Sequence, residues 1–164
     1  SQLPITICDS PNVTVQKIRA QARTIKGLEL IIVDFMTLLQ SLQRYDSRNL
    51  EVGAISRQLK ILATELRIPI VVLSQLNRTQ DETEEPGLMS LRDSGELEQN
   101  ANKILFLWKV DRDTGTIGVK VAKNRRGKTG IVQMDFDGSH MKFTELTEDY
   151  IRPVKKRGWR NESA

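Results

Sequence analysis

Apolar residues fall into short runs divided by polar, turn-forming stretches, and their period changes along the chain. Leu3 to Cys8 reads as a short strand, and Asp9-Ser10-Pro11-Asn12 after it is turn chemistry. Thr14 then offers a hydroxyl cap to a helix in which Val15, Ile18, Ala22 and Ile25 recur at helical spacing, with Gly27 placed to end it. Leu28 to Phe35 is nearly continuous in apolar residues, the pattern of a strand covered on both faces. A polar stretch, Gln40 to Asn49, leads to a helical pattern from Glu51 to Leu66, with Val52, Ile55, Leu59, Leu62 and Leu66 in one stripe. Pro69 opens a second buried strand, Ile70 to Leu73. Strands alternating with helices in this way predict parallel βαβ units.

The second half has a different rhythm. Arg78 to Ser90 is acidic and polar around Pro86-Gly87 and reads as a long loop, and Glu96 to Ala101 as a short helix. Ile104 to Trp108 is an apolar strand. Two β-rich runs follow, Thr116 to Ala122 and Gly130 to Phe136, joined by the basic segment Lys123 to Thr129. Asp137-Gly138 signals a hairpin before Met141 to Phe143. The domain is expected to span residues 1–146, with a basic, disordered tail over 147–164.

Composition changes this picture in three ways. Lys and Arg number 25 against 21 Asp and Glu, for a net charge of +4. From Arg152 onward there are five basic residues and one acid, so the remaining chain balances at 20 against 20 and the tail carries the whole excess. Such a tail is ordinarily a solvated end, and its functional version is an interaction arm. One cysteine and one histidine exclude an internal disulfide and any zinc site built from several of them. No apolar run approaches the ~20 residues needed to cross a bilayer, and no signal peptide is visible, so a cytoplasmic protein without membrane attachment is expected.

Four segments could carry chemistry. Leu30-Ile31-Ile32-Val33 ends in Asp34. In open α/β sheets ligands bind beyond the carboxyl ends of the strands, and a carboxylate there can hold magnesium through its water shell. Val71-Val72-Leu73 ends in Ser74 and Gln75, where a glutamine can hydrogen-bond a phosphate or a reacting water. The bland alternative is a glutamine satisfying loop backbone. Ala122-Lys123-Asn124-Arg125-Arg126-Gly127-Lys128-Thr129 fits a loose P-loop pattern. A P-loop requires a helix directly after it, whereas Gly130 to Phe136 alternates like a strand, so that reading is rejected. What remains is a basic hairpin tip, either a solvated turn or a set of cations presented to phosphate. Finally, Arg92, Ser94 and the Gly95 backbone, just before a helix start, suit a phosphate contact or a plain helix entry equally. Cys8 is expected to be a small buried hydrophobe, His140 an exposed turn residue and Trp108 a core residue. The scarcity of aromatics disfavours a stacking platform for single strands.

In this order and context the segments resemble the C-terminal part of the ATPase domain of DnaB-type replicative DNA helicases. The resemblance runs from Leu3-Pro4-Ile5 through Phe143. It rests on Ile32-Val33-Asp34-Phe35, Ile55-Ser56-Arg57-Gln58-Leu59-Lys60, Val72-Leu73-Ser74-Gln75-Leu76-Asn77-Arg78, Leu91-Arg92-Asp93-Ser94-Gly95 and Ala122-Lys123-Asn124-Arg125. It implies an α/β fold, a partial RecA-like domain of the P-loop NTPase type, with a mostly parallel sheet, helices on its faces and a C-terminal β-hairpin region.

The same resemblance implies roles. Asp34 matches the Walker B aspartate that helps hold Mg2+. Gln75 matches the glutamine that senses the γ-phosphate of ATP and couples it to DNA contacts. Lys123 and Arg125 match the basic pair reaching a neighbouring subunit's nucleotide, with Arg125 as the arginine finger. Arg92, Asp93 and Gly95 match a loop touching the backbone of single-stranded DNA, and Asp93 stands where the family often has Glu. The implied partners are single-stranded DNA, further copies in a homo-hexameric ring, primase and a helicase loader, in a bacterial or phage-encoded protein. The family's Walker A loop and catalytic glutamate lie upstream of the segment matching Leu3, so these residues alone are expected neither to hydrolyse ATP nor to unwind DNA. Two other readings stay open: a non-catalytic DNA-binding or helicase-docking module, and a fragment of a related RecA-like recombinase. Removing neighbouring strands from a parallel sheet is also expected to expose an edge and apolar faces.

Overall fold

The computed structural model describes residues 4–76, 82–91 and 94–146. It divides into two compact units: residues up to Gln75 together with Gly95–Asn100, and Leu76–Ser94 together with the chain from Ala101.

The first unit is built on two helices and a parallel strand pair. Helix α1 (Val15–Thr24) starts where Thr14 accepts the Lys17 N–H on its hydroxyl at 3.3 Å, and Gly27 takes a left-handed φ of +70° just past its end. Helix α2 (Arg48–Leu66) is capped by Ser47, which accepts the Leu50 N–H at 3.3 Å. Strands β1 (Ile31–Val33) and β2 (Ile70–Val72) pair in parallel, with Ile31 opposite Ile70 and Val33 opposite Val72. The stripe Val52, Ile55, Leu59 and Leu62 is buried and packs with Val15, Val33, Met36 and Leu39 into one core. Helix α3 (Ser94–Asn100) lies on α2: Glu96 pairs with Arg57 at 3.2 Å, and Asn100 donates to the Ser56 hydroxyl at 3.3 Å.

Several expectations change here. Residues 4–8 carry no strand, since nothing among the described residues pairs with them, and Cys8 is exposed rather than buried. The parallel pair is covered on one face only: Leu30, Ile32, Val71 and Leu73 are exposed, because the core of this unit gathers against the other face. The apolar runs were therefore read correctly as strands, and the cover expected on the second face is absent from the described residues.

The second unit is an antiparallel sheet in the order β3 (Lys103–Lys109), β4 (Thr116–Asn124), β5 (Gly130–Asp137), β6 (Lys142–Glu145). Strand β3 alternates strictly, burying Ile104, Phe106 and Trp108. Ile104 and Phe106 pack with Leu76, Leu88 and Leu91. Parallel pairing is thus confined to β1 and β2, and the expected mostly parallel sheet is a correction for the described residues. The later strands are joined by short connections, which permit only antiparallel neighbours. The Asp137-Gly138 signal does mark a hairpin, but its loop runs over residues 138–141, with Met141 at a left-handed φ of 51°. There the Asp137 carboxylate accepts the Ser139 N–H at 2.9 Å and the Ser139 hydroxyl at 2.6 Å. The tail expected over 147–164 lies outside the described residues.

Candidate functional site

The parallel pair brings two of the singled-out side chains to one rim. Asp34 follows β1 directly, and Gln75 lies three residues beyond β2. Parallel strands in register end on the same side. The ladder continues past both ends, with the Leu73 N–H donating to the Val33 carbonyl at 3.0 Å and the Met36 N–H to the Leu73 carbonyl at 2.9 Å. Buried Val33 and Met36 flank Asp34, so the chain is anchored on both sides of an exposed carboxylate. Gln75 is exposed as well. The rim can therefore present a carboxylate and an amide to a polar ligand.

No group of three or more His, Cys, Asp or Glu side chains that could hold a metal ion occurs among the described residues. A single exposed carboxylate does not make a protein cage. It suits magnesium, which keeps several waters and completes its shell with substrate phosphates and one or two carboxylates.

Lys123 and Arg125 occupy the other unit, at the end of β4. A register shift between Ile104 and Leu105 pairs Leu105 with Val121 but Ile104 with Lys123, leaving Ala122 as the extra residue. Lys123 is half-buried, and Arg125 is exposed at the head of the turn, where its N–H donates to the Asn102 carbonyl at 3.0 Å. The turn itself is held by Asn124, whose amide donates to the Lys128 carbonyl at 3.2 Å. Residues 130–137 form β5 and not a helix, so the P-loop reading of Ala122–Thr129 stays rejected on structure. Gly95 is exposed in the first turn of α3, while Arg92 and Asp93 lie outside the described residues.

Sequence reasoning missed an ion pair between Lys120 and Glu85, 2.6 Å apart. Its partners are 35 residues apart, and no local pattern marks them. It also missed the setting of Cys8, whose thiol is held below its ordinary value by side-chain hydrogen bonding with Gln21 and then Ser10. A shallow hollow is lined by Cys8, Ser10, Val13, Lys17, Ala20 and Gln21, and includes neither Asp34 nor Gln75.

Comparison with known proteins adds a family. Residues 1–145 match the model of the DnaB-like helicase C terminal domain. The replicative DNA helicase DnaB of Leifsonia xyli subsp. xyli is 39% identical over 154 residues, which cover 87% of this chain and 34% of the relative. The corresponding helicase of Haemophilus influenzae is 37% identical over 87% of this chain and 33% of its own length. The chain thus spans about a third of the length of these relatives. Among solved structures, a DnaB-like replicative helicase described with its interactions with primase superposes with a TM-score of 0.76 at 32% identity, over 85% of this chain and 36% of that one. A solved ATPase domain gives the same TM-score and identity over 85% of this chain and 54% of its own.

Proposed function

Because this chain belongs to the DnaB-like helicase C terminal domain family, we propose that it supplies part of the ATP-driven motor of a replicative DNA helicase. The observation that carries this reading is the shared, exposed rim that holds Asp34 and Gln75, in a chain matching the family over residues 1–145. In this reading Asp34 holds Mg2+ through water, and Gln75 meets the γ-phosphate of ATP. Lys123 and Arg125 project from the basic hairpin toward the nucleotide of the next subunit in a homo-hexameric ring. A finger supplied in this way accelerates phosphoryl transfer by about 10³–10⁵ in related NTPases. Magnesium held at Asp34 would supply positive charge to the transferred phosphoryl group, and Arg125 would add its guanidinium from the neighbouring subunit.

Arg92, Asp93 and Gly95 are proposed to touch the phosphate backbone of single-stranded DNA, so binding is sequence-tolerant and weakens with salt. Primase and a helicase loader are the proposed protein partners, and the compartment is the cytoplasm. No helix among the described residues is long and apolar enough to cross a membrane. Residues 1–146 act as one partial ATPase domain, with 147–164 as a basic tail. The 164 residues contain no phosphate-cradling loop, so by themselves they are expected to be inactive in ATP hydrolysis and unwinding.

The test is subunit mixing in the full-length protein that carries these residues. Asp34→Asn and Arg125→Ala each abolish DNA-stimulated ATP hydrolysis. Mixed at equal ratio, they restore an intact carboxylate and an intact finger at about a quarter of the interfaces, by random assembly of a closed ring. Recovery of hydrolysis on mixing supports the reading. Full activity of either variant alone, or no recovery in rings shown to be mixed, overturns it.

A further inference from the structure

Leu76 and residues 82–91, the described part of the chain between Gln75 and Arg92, are tied together and to β4. Leu76 and Leu91 form an isolated antiparallel bridge, and both pack with Leu88, Ile104 and Phe106. Leu76 directly follows Gln75, and Leu91 directly precedes Arg92. Between them, the Gly87 N–H donates to the Ser90 hydroxyl at 3.2 Å and the Ser90 N–H to the Gly87 carbonyl at 2.8 Å, a tight turn that ends in buried Ser90.

The pin is Lys120 of β4. Its ammonium donates to Glu85 Oε1 at 2.6 Å and to the Pro86 carbonyl at 3.2 Å. The two side chains are only 26% and 13% exposed, and Thr83 and Pro86 beside them are buried. Exposed ion pairs contribute little, because water competes for both charges and two long side chains must be ordered. This pair is partly withdrawn from water, and its lysine satisfies a carboxylate and a backbone carbonyl together, so it fixes backbone as well as charge. It fastens the segment to the strand that carries Lys123 three residues further on.

Resting on the function proposed above, we infer that Lys120 is a positioning residue. By gripping Glu85 and the Pro86 carbonyl, it holds residues 82–91 to the finger-bearing strand. Leu91, the residue before the DNA contact proposed above, is thereby tied to the strand that leads into the basic hairpin. Lys120 itself touches neither nucleotide nor DNA.

The experiment uses the full-length protein with Lys120→Met, Glu85→Gln, Lys120→Arg, and the exchange of Lys120→Glu with Glu85→Lys. ATP turnover is measured across a titration of oligo(dT), alongside thermal melts. The two neutralising variants raise the oligo(dT) concentration for half-maximal stimulation by about tenfold, as expected for one member of a coupling network. Turnover without DNA stays at the wild-type level, and Lys120→Arg and the exchange move the half-maximal concentration back toward wild type. Neutralising variants with an unchanged half-maximal concentration overturn the inference alone. So does an equal loss of basal and stimulated turnover with a lowered melting temperature, which marks a merely structural pair. Absence of any DNA stimulation in the wild type overturns the helicase reading and this inference with it.

Discussion

Gly118→Ala puts the antiparallel sheet under a measurable load. Gly118 sits between Trp108 on β3 and Gln133 on β5 in one cross-strand row. A Cβ built there falls 2.5 Å from Cη2 and 2.6 Å from Cε2 of the Trp108 indole, and closer still to Cζ2. Trp108 is 6% exposed, so its indole cannot swing away without bringing a buried ring into water. Gly118 has no left-handed φ, so alanine meets no backbone penalty and gains about 0.4–1 kcal/mol from a less flexible unfolded chain. Forcing a methyl group into a packed ring costs about 1–3 kcal/mol. Overpacking therefore wins, with a net loss of about 1–2 kcal/mol, and the urea midpoint moves by roughly 1 M at an ordinary slope. Repeating the substitution in a Trp108→Leu background removes the obstruction, and the penalty vanishes or changes sign. The cycle, followed by far-UV circular dichroism in urea, should give a coupling of about 1–2 kcal/mol between the two positions. An unchanged midpoint for Gly118→Ala, or the same penalty in both backgrounds, would refute the packing argument.

Two further substitutions probe the first unit. Leu62→Ala empties a position that is 0% exposed on α2 and should cost about 2–5 kcal/mol in urea unfolding; a loss below that range would mean the core collapses around the gap. Glu51 accepts the Ser41 N–H at 3.0 Å and pairs with Arg48, and the backbone hydrogen bond, ahead of the arginine, holds its carboxyl below the ordinary glutamate value. A depressed folded pKa means the contribution is present above the unfolded value and is lost as pH falls through the folded one. Glu51→Gln should therefore be less stable than wild type at neutral pH and converge with it under acid conditions. Parallel stability curves from pH 7 downward would contradict the assignment.

Much of the first unit was legible in the chain because its determinants are local. Thr14 lies next to an apolar period, and α1 begins at Val15. The stripe from Val52 to Leu62 repeats at helical spacing and is buried, and Arg48–Leu66 differs from the expected range only by one earlier turn capped by Ser47. The strand after Lys128-Thr129 was legible for the same reason: alternation over Gly130 to Phe136 forbids the helix that a P-loop needs. Residues 4–8 failed as a strand because pairing is a property of two segments, and apolar content in one cannot supply the other.

By itself, the amino-acid sequence determined the start of α1, most of the runs that become strands, and that Asp34 and Gln75 each stand just past a strand. Hydrogen-bonding caps and side-chain periodicity act over one or two turns of chain, so they are written locally. Only the tertiary structure decided that those two strands are direct neighbours and in which register they pair, bringing both strand ends to one rim. It alone decided that the extra residue Ala122 sets Lys123 opposite Ile104, and that Lys120 finds Glu85 from 35 residues away. These outcomes depend on which distant backbones share a ladder or a core. That choice is made by the summed burial and pairing of the folded chain, and not by any stretch of it alone.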